Sequence, residues 1–150
     1  LRLRIAGNPT SAGIADEVRA SAKADGRIEL DLRYLSEPDF ARAVMSSSGI
    51  VLPYRFMHNS GTVLSALSLN RPVLVPRTAV NEALSAEVGP GWITMFDEEL
   101  AASDLLAFAE AIRTLPAGEP DLSARDWDRA GVAHREAFTR AVAHRRGATR

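Results

Sequence analysis

Residues 49–76 read GIVLPYRFMHNSGTVLSALSLNRPVLVP, and their pattern decides the fold class. Two compact apolar runs, 49–53 and 72–76, enclose a stretch that carries a short helix signal over 62–70. Neither run alternates with polar residues. A strand with one face in water shows a period of two, whereas a strand covered on both faces is apolar throughout, as in a parallel sheet between layers of helix. Each run is bounded by proline, and strand, helix and strand follow one another with short connections. A β-α-β unit with a right-handed crossover is expected.

The same alternation extends outward in both directions. Upstream, Leu3 to Ala6 reads as a strand stopped by Gly7-Asn8-Pro9, and 11–24 as a helix with Ile14, Val18 and Ala22 at helical spacing. Ile28, Leu30, Leu32 and Tyr34 alternate with Glu29, Asp31 and Arg33, a strand nearer a sheet edge. Ser36 is placed to cap a helix containing Phe40, Val44 and Met45. Downstream come a helix over 81–88, a strand over 92–96 and a helix over 100–115 with Leu105, Phe108, Ala109, Ile112 and Leu115 on one stripe. A last helix, 126–145, carries Trp127, Ala130, His134, Ala137, Phe138 and Ala141 at spacings of three and four. That spacing predicts that Trp127, Ala130, His134 and Phe138 pack on the domain's own body. The whole reads as one α/β domain over 1–150, a doubly wound, mostly parallel sheet with helices on both faces. Strands 3–6, 50–53 and 72–75 are expected to be buried, with 28–34 further out.

Composition narrows the function classes. There is no cysteine, which removes disulfides, thiolate metal sites and cysteine nucleophiles. The net charge of -1 gives no general attraction to nucleic acid or to an anionic membrane. No apolar run approaches the roughly 20 residues that span a bilayer, and no signal-peptide pattern opens the chain, so a cytoplasmic protein is expected. The chain begins on Leu1, directly on a strand signal, and an excised segment of a longer protein is expected. The three histidines, His58, His134 and His144, are too scattered for a metal site by spacing. The acidic residues fall at helix starts and turns, and no acid/base pair stands out, so no catalytic residue is assigned.

In open parallel sheets, ligands bind beyond the carboxyl ends of the strands. Of the loops there, 53–62 is the most informative. It ends in Asn59-Ser60-Gly61-Thr62 at the start of a helix, where glycine permits close approach of a ligand and unpaired amides favour an anion. Arg55 adds a cation capable of bidentate pairing. The alternative is that Ser60 or Thr62 only caps the helix and Gly61 only permits a turn. The first turn, 7–13, is neither GxGxxG nor a P-loop, and Gly7-Asn8 and Pro53-Tyr54 stand where a receiver domain needs aspartates.

With these segments in view, the chain resembles the donor-binding, C-terminal half of GT-B retaining glycosyltransferases. The resemblance rests on Pro53-Tyr54-Arg55 with Asn59-Ser60-Gly61-Thr62, on Ala66-Leu67-Ser68 against the family's "EAMA" helix, and on Arg71-Pro72-Val73-Leu74-Val75-Pro76 against its "GxPVV" strand. Residues 3–7, 27–43, 89–96 and the Trp127 helix fit flanking segments, so nearly the whole chain is covered. It implies a Rossmann-like half of a two-domain enzyme, with an N-terminal acceptor domain outside this chain. The implied function is transfer of a sugar from a nucleoside-diphosphate sugar to an acceptor, without metal or other cofactor and without transfer by the isolated piece. Diphosphate contacts are implied at Gly7, Asn8, Arg55, Asn59, Ser60, Gly61 and Thr62, and base or ribose contacts at Tyr34, Leu35 and Ser65. The family often carries two glutamates eight positions apart around this turn; Met57 and Ser65 stand there instead. A nucleotide-sugar epimerase of the same fold and a non-catalytic α/β binding module are the alternatives.

Overall fold

Polar caps and apolar spacing divide the chain into the alternating elements the sequence predicts. The computed structural model describes residues 1–54, 61–125, 131–132 and 135–140. In order, these are β1 (Leu3–Ala6), α1 (Ala12–Ala24), β2 (Ile28–Asp31), α2 (Glu37–Met45), β3 (Ile50–Val51), α3 (Gly61–Ser68), β4 (Val73–Pro76), α4 (Ala79–Val88), β5 (Ile93–Phe96) and α5 (Ala102–Arg113). A 3-10 turn, Ser123–Arg125, follows, and the described residues from 131 to 140 are helical. Three helices start on hydroxyl caps: Ser11 accepts from the Ile14 amide (3.3 Å), Ser36 from Asp39 (3.4 Å) and Thr78 from Asn81 (3.1 Å). At the start of α5 the Asp104 carboxylate reaches back to the Ala101 amide at 2.8 Å. Among the described residues no helix is long and apolar enough to cross a membrane.

All strand pairs are parallel. β1 pairs with β2, Leu3 opposite Ile28, and a second sheet has the order β3-β4-β5, with Ile50 opposite Val73 and Val73 opposite Ile93. The central strand β4 is the most deeply covered element: Val73, Leu74 and Val75 are all fully buried. Side chains on a strand alternate between faces, and the two cores follow that alternation. Val73 and Val75 join Val44, Leu52, Val63, Ala66, Leu67, Leu84 and Val88, contributed by α2, α3, α4 and strand β3's end. Leu74 and Phe96 join Phe108 on the other side, with Leu105 and Ile112 of α5 against them. Helices therefore cover both faces of this sheet, as expected for a Rossmann-like α/β fold. Each buried valine or leucine contributes about 1.5–3 kcal/mol relative to exposure. On the α5 side the packing depends on a missing side chain. A Cβ at Gly49 would lie 2.6 Å from Ile112 Cδ1 and 2.8 Å from Phe108 Cζ.

Four expectations need correction. Strand β3 is half-buried at Ile50 and Val51 and Pro53 beyond it is exposed, because it ends the order β3-β4-β5 with a hydrogen-bonded neighbour on one side. Strand β1 is not buried; its residues alternate between half-buried and exposed. The reason lies in 1–6, where Leu1, Leu3 and Ile5 alternate with Arg2 and Arg4, and both arginines pair with Glu29 of β2 (2.6 and 3.4 Å). Strand β2 ends at Asp31 rather than Tyr34. The Asp31 carbonyl accepts from Gly7 and also from Arg33 (both 3.1 Å), which turns the chain out of the ladder. Phe138, expected against the body, is 72% exposed. Trp127, Ala130 and His134, expected beside it, lie outside the described residues. Ile14 and Met45 are also exposed, and Ala15 and Val44 take the buried positions on α1 and α2.

Candidate functional site

The carboxyl ends of β1 and β2 bring one group of site residues together. Gly7 follows β1 with a φ of +136, a conformation that favours glycine, and its amide donates to Asp31 at the end of β2. Asn8 next to it is exposed. Past Asp31, Tyr34 is 77% exposed and Leu35 is half-buried. Gly7, Asn8, Tyr34 and Leu35 thus sit on two adjacent loops at one end of a parallel pair.

The second group starts α3, in the connection that follows β3. Gly61 is the first helical residue and Thr62 the second. Nothing lies within 4 Å of a Cβ placed on Gly61, and its φ is not positive. The backbone therefore does not need glycine there, and neither do the described neighbours; its bare backbone opens space at the helix start. First-turn amides have no acceptor within the helix, and the dipole favours an anion at that end. The Ser65 hydroxyl donates to the Gly61 carbonyl at 2.9 Å, so its proton is used within the helix while its oxygen can still accept. Arg55, Asn59 and Ser60, with Met57 and His58, lie outside the described residues.

Two arginines at strand ends were not singled out in the sequence. Arg33 follows β2 and pairs with Asp39 at 2.8 Å and Asp31 at 2.9 Å. Arg77 follows β4 and pairs with Asp97 at 2.7 Å and Glu82 at 3.4 Å. Hydrogen bonding to Asp39, and then the charges of Asp31 and Asp39, raise the pKa of Arg33; Asp97 does the same for Arg77. Asp39 in turn is held well below the usual carboxylate range by Arg33 first, then Arg42 and Ser36. Each of these cations already faces two carboxylates, so positive charge for an anion must come mainly from amides and other side chains. A third arginine braces α3 from its far end. Arg71 donates to Met45 (2.8 Å), Asn70 (3.0 Å) and Leu69 (3.4 Å), carbonyls at or just beyond the C-terminal ends of α2 and α3. Asn81, 3% exposed, ties the turn after β4 by donating from its side chain to Pro76 at 2.8 Å. Sequence periodicity carries no signal for any of these partnerships.

A wide surface depression of about 510 Å³ lies elsewhere, between α4 and β5, lined by Glu82, Ser85, Ala86, Gly89, Pro90 and Met95. None of the expected donor residues lines it.

No family model matches the chain. It is similar to the GDP-mannose:glycolipid 4-beta-D-mannosyltransferase of Xanthomonas campestris pv. campestris, with 44% identity over 143 residues, 95% of this chain and 41% of that protein. The same identity and coverage hold for this enzyme from a named strain of that organism. The chain spans about two-fifths of the length of the curated relatives it matches.

Proposed function

We propose that this chain is the nucleotide-sugar-binding region of a glycosyltransferase and that its donor is GDP-mannose. The observation that carries this reading is 44% identity, over 95% of the chain, to an enzyme named for that donor. The Rossmann-like fold supports it, because such sheets hold nucleotides beyond their strand ends. In this reading the diphosphate sits against Gly7, Asn8, Gly61 and Thr62, with Arg55, Asn59 and Ser60 completing its shell. The base and ribose lie near Tyr34 and Leu35, and the Ser65 oxygen accepts from a ribose hydroxyl.

The reaction needs a group that stabilises a leaving diphosphate. An acceptor hydroxyl oxygen bonds to the anomeric carbon as the bond from that carbon to the diphosphate breaks. The diphosphate leaves with the electron pair, and the hydroxyl proton passes to a base supplied outside this chain. Amides fixed at a helix start act on that developing charge without reorganising, so no metal ion is required. The acceptor, a glycolipid for the relatives, is held by a further domain of the full-length protein. A cytoplasmic location goes with this reading.

Calorimetric titration with GDP-mannose, GDP, UDP and ADP tests the proposal. GDP and GDP-mannose are expected to bind in the micromolar to millimolar range, about 4–8 kcal/mol, and the other two more weakly. A folded chain that binds none of them is a binding module of another kind. The 150-residue chain is expected to transfer no sugar, and detectable mannosyl transfer would refute that part. In the full-length protein, the anomeric configuration of the product against that of the donor reads the stereochemical course.

A further inference from the structure

The Asp31 carbonyl holds two amides, those of Gly7 and Arg33, each at 3.1 Å. Arg33 is thereby tied to the loop after β1, at the carboxyl ends of both strands and one residue before Tyr34. Its guanidinium is bonded on two sides. Nε and Nη2 donate to the two oxygens of Asp31 (2.9 and 3.4 Å). Nη1 donates to Asp39 (2.8 Å) and to the Tyr34 carbonyl (3.4 Å). Asp39 also accepts from Arg42, and its side chain is only 22% exposed. An isolated surface pair holds a side chain weakly, whereas a bidentate contact within a network fixes its orientation.

This arrangement suits one kind of ligand group and not another. The N–H groups of a guanidinium all lie in its plane, so the carboxylates occupy the edges of Arg33 and leave its faces to other partners. About half of the side chain, 52%, is open to solvent. The formal charges of Asp31 and Asp39 cancel those of Arg33 and Arg42. A cancelled charge has little pull on a diphosphate, but it leaves a rigid, flat surface for a neutral ring. We propose that the face of the Arg33 guanidinium, held by Asp31 and Asp39, is the surface on which the nucleobase of the donor stacks, beside the exposed Tyr34. The delocalised plane of arginine is weakly hydrated and stacks on flat rings, and unpaired bases are taken up on such planes. The inference rests on the proposed function for placing a nucleotide here, and adds to it the group that holds the base.

Calorimetric titration of GDP into the 150-residue chain and its variants tests the platform. Arg33→Ala is expected to weaken GDP binding about tenfold. Arg33→Lys keeps the charge without the plane and is expected to fall as far. Arg33→Tyr restores a flat surface without the charge and should recover most of the affinity. Asp39→Ala releases the guanidinium, so GDP binding should weaken; an arginine acting on phosphate would instead bind more tightly once a carboxylate was removed. Melting curves of each variant check the fold, and Arg33→Lys and Arg33→Tyr carry the decision if Asp39→Ala melts early. Wild-type affinity in Arg33→Ala or Arg33→Lys, or tighter binding by Asp39→Ala, would overturn the proposal. So would an Arg33→Tyr no better than Arg33→Ala, because Arg33 would then only brace the loop. ADP titration keeps the two readings apart, since a stacking surface tolerates either purine. Preference for ADP, with the same loss in Arg33→Ala, sinks the GDP-mannose reading alone. GDP binding that ignores the Arg33 variants sinks this one alone, and a folded chain that binds neither nucleotide refutes both.

Discussion

If the diphosphate sits at the start of α3 as proposed, replacing Gly61 by valine is expected to separate its recognition from folding. A Cβ at this position meets nothing within 4 Å, and the backbone conformation is ordinary for any residue. Valine is also a better helix former than glycine, by about 0.4 kcal/mol, so the melting temperature should stay level or rise slightly. The isopropyl group would occupy the open space over the first turn of α3 and keep phosphate oxygens from its amides. One charge-assisted hydrogen bond contributes about 1.5–3 kcal/mol. Losing one therefore weakens binding about 10- to 150-fold. Calorimetry with GDP on wild type and Gly61→Val, beside melting curves of both, measures the two quantities independently. Gly61→Ala, with a single methyl, should fall between them. Unchanged GDP affinity in a normally folded Gly61→Val would place the diphosphate elsewhere and refute the reasoning.

Three further outcomes follow from packing and charge. Gly49→Ala drives a methyl to 2.6 Å from Ile112 Cδ1 and 2.8 Å from Phe108 Cζ, and overpacking of that kind costs about 1–3 kcal/mol, measurable by urea unfolding. Arg71→Ala removes the donors to Met45, Asn70 and Leu69; a loss of about 2 kcal/mol would lower the melting temperature by about 4–8 °C, and no change would mean that water replaces the guanidinium without cost. On the acid side, Arg27 lowers Asp25 to about 2, and Arg125 lowers Glu87. Depressed folded-state values stabilise the protein above the unfolded carboxylate range near ~4 and lose that contribution as pH falls through the folded values. Unfolding at graded pH should show stability dropping from about pH 4 toward pH 2, with Arg125→Ala removing the Glu87 share; a flat profile there would contradict the assignment.

Residues 49–76 disclosed the fold because an uninterrupted apolar run has few places to go except between two layers of helix. Strand β4 is buried as that reading requires, and Ser36 caps the helix for which it was marked, while the Ser11 cap was not read from the sequence. The misplaced strand was legible too, since Leu-Arg-Leu-Arg is a period of two, and its exposed face follows from that alternation. What the sequence could not show were partnerships between distant residues. Arg77 meets Asp97 across neighbouring strands, and Arg71 reaches Met45 across 26 positions. Neither leaves a periodic trace. The glycine at 61 was conspicuous only through its neighbours, and the open space above it belongs to tertiary structure. Phe138 fitted an apolar stripe, but spacing says which face is apolar and not what it faces.

The first 43 residues contain a single buried side chain, Ala15, while the large core begins at Val44. Opening free energies within one protein range from near zero to the global value, and sparsely buried segments open first. Amide protons along β1, α1 and β2 should therefore exchange with deuterium much sooner than those of β4. The nucleotide shell would then be assembled from two materials. Gly61, Thr62 and Ser65 belong to a helix rooted in the slow-exchanging core, whereas Gly7, Asn8, Tyr34 and Leu35 belong to the fast-exchanging part. A nucleotide bridging the two would slow exchange in the first half of the chain and leave β4 almost unaltered, so occupancy would be recorded as acquired protection in residues that lack it when empty.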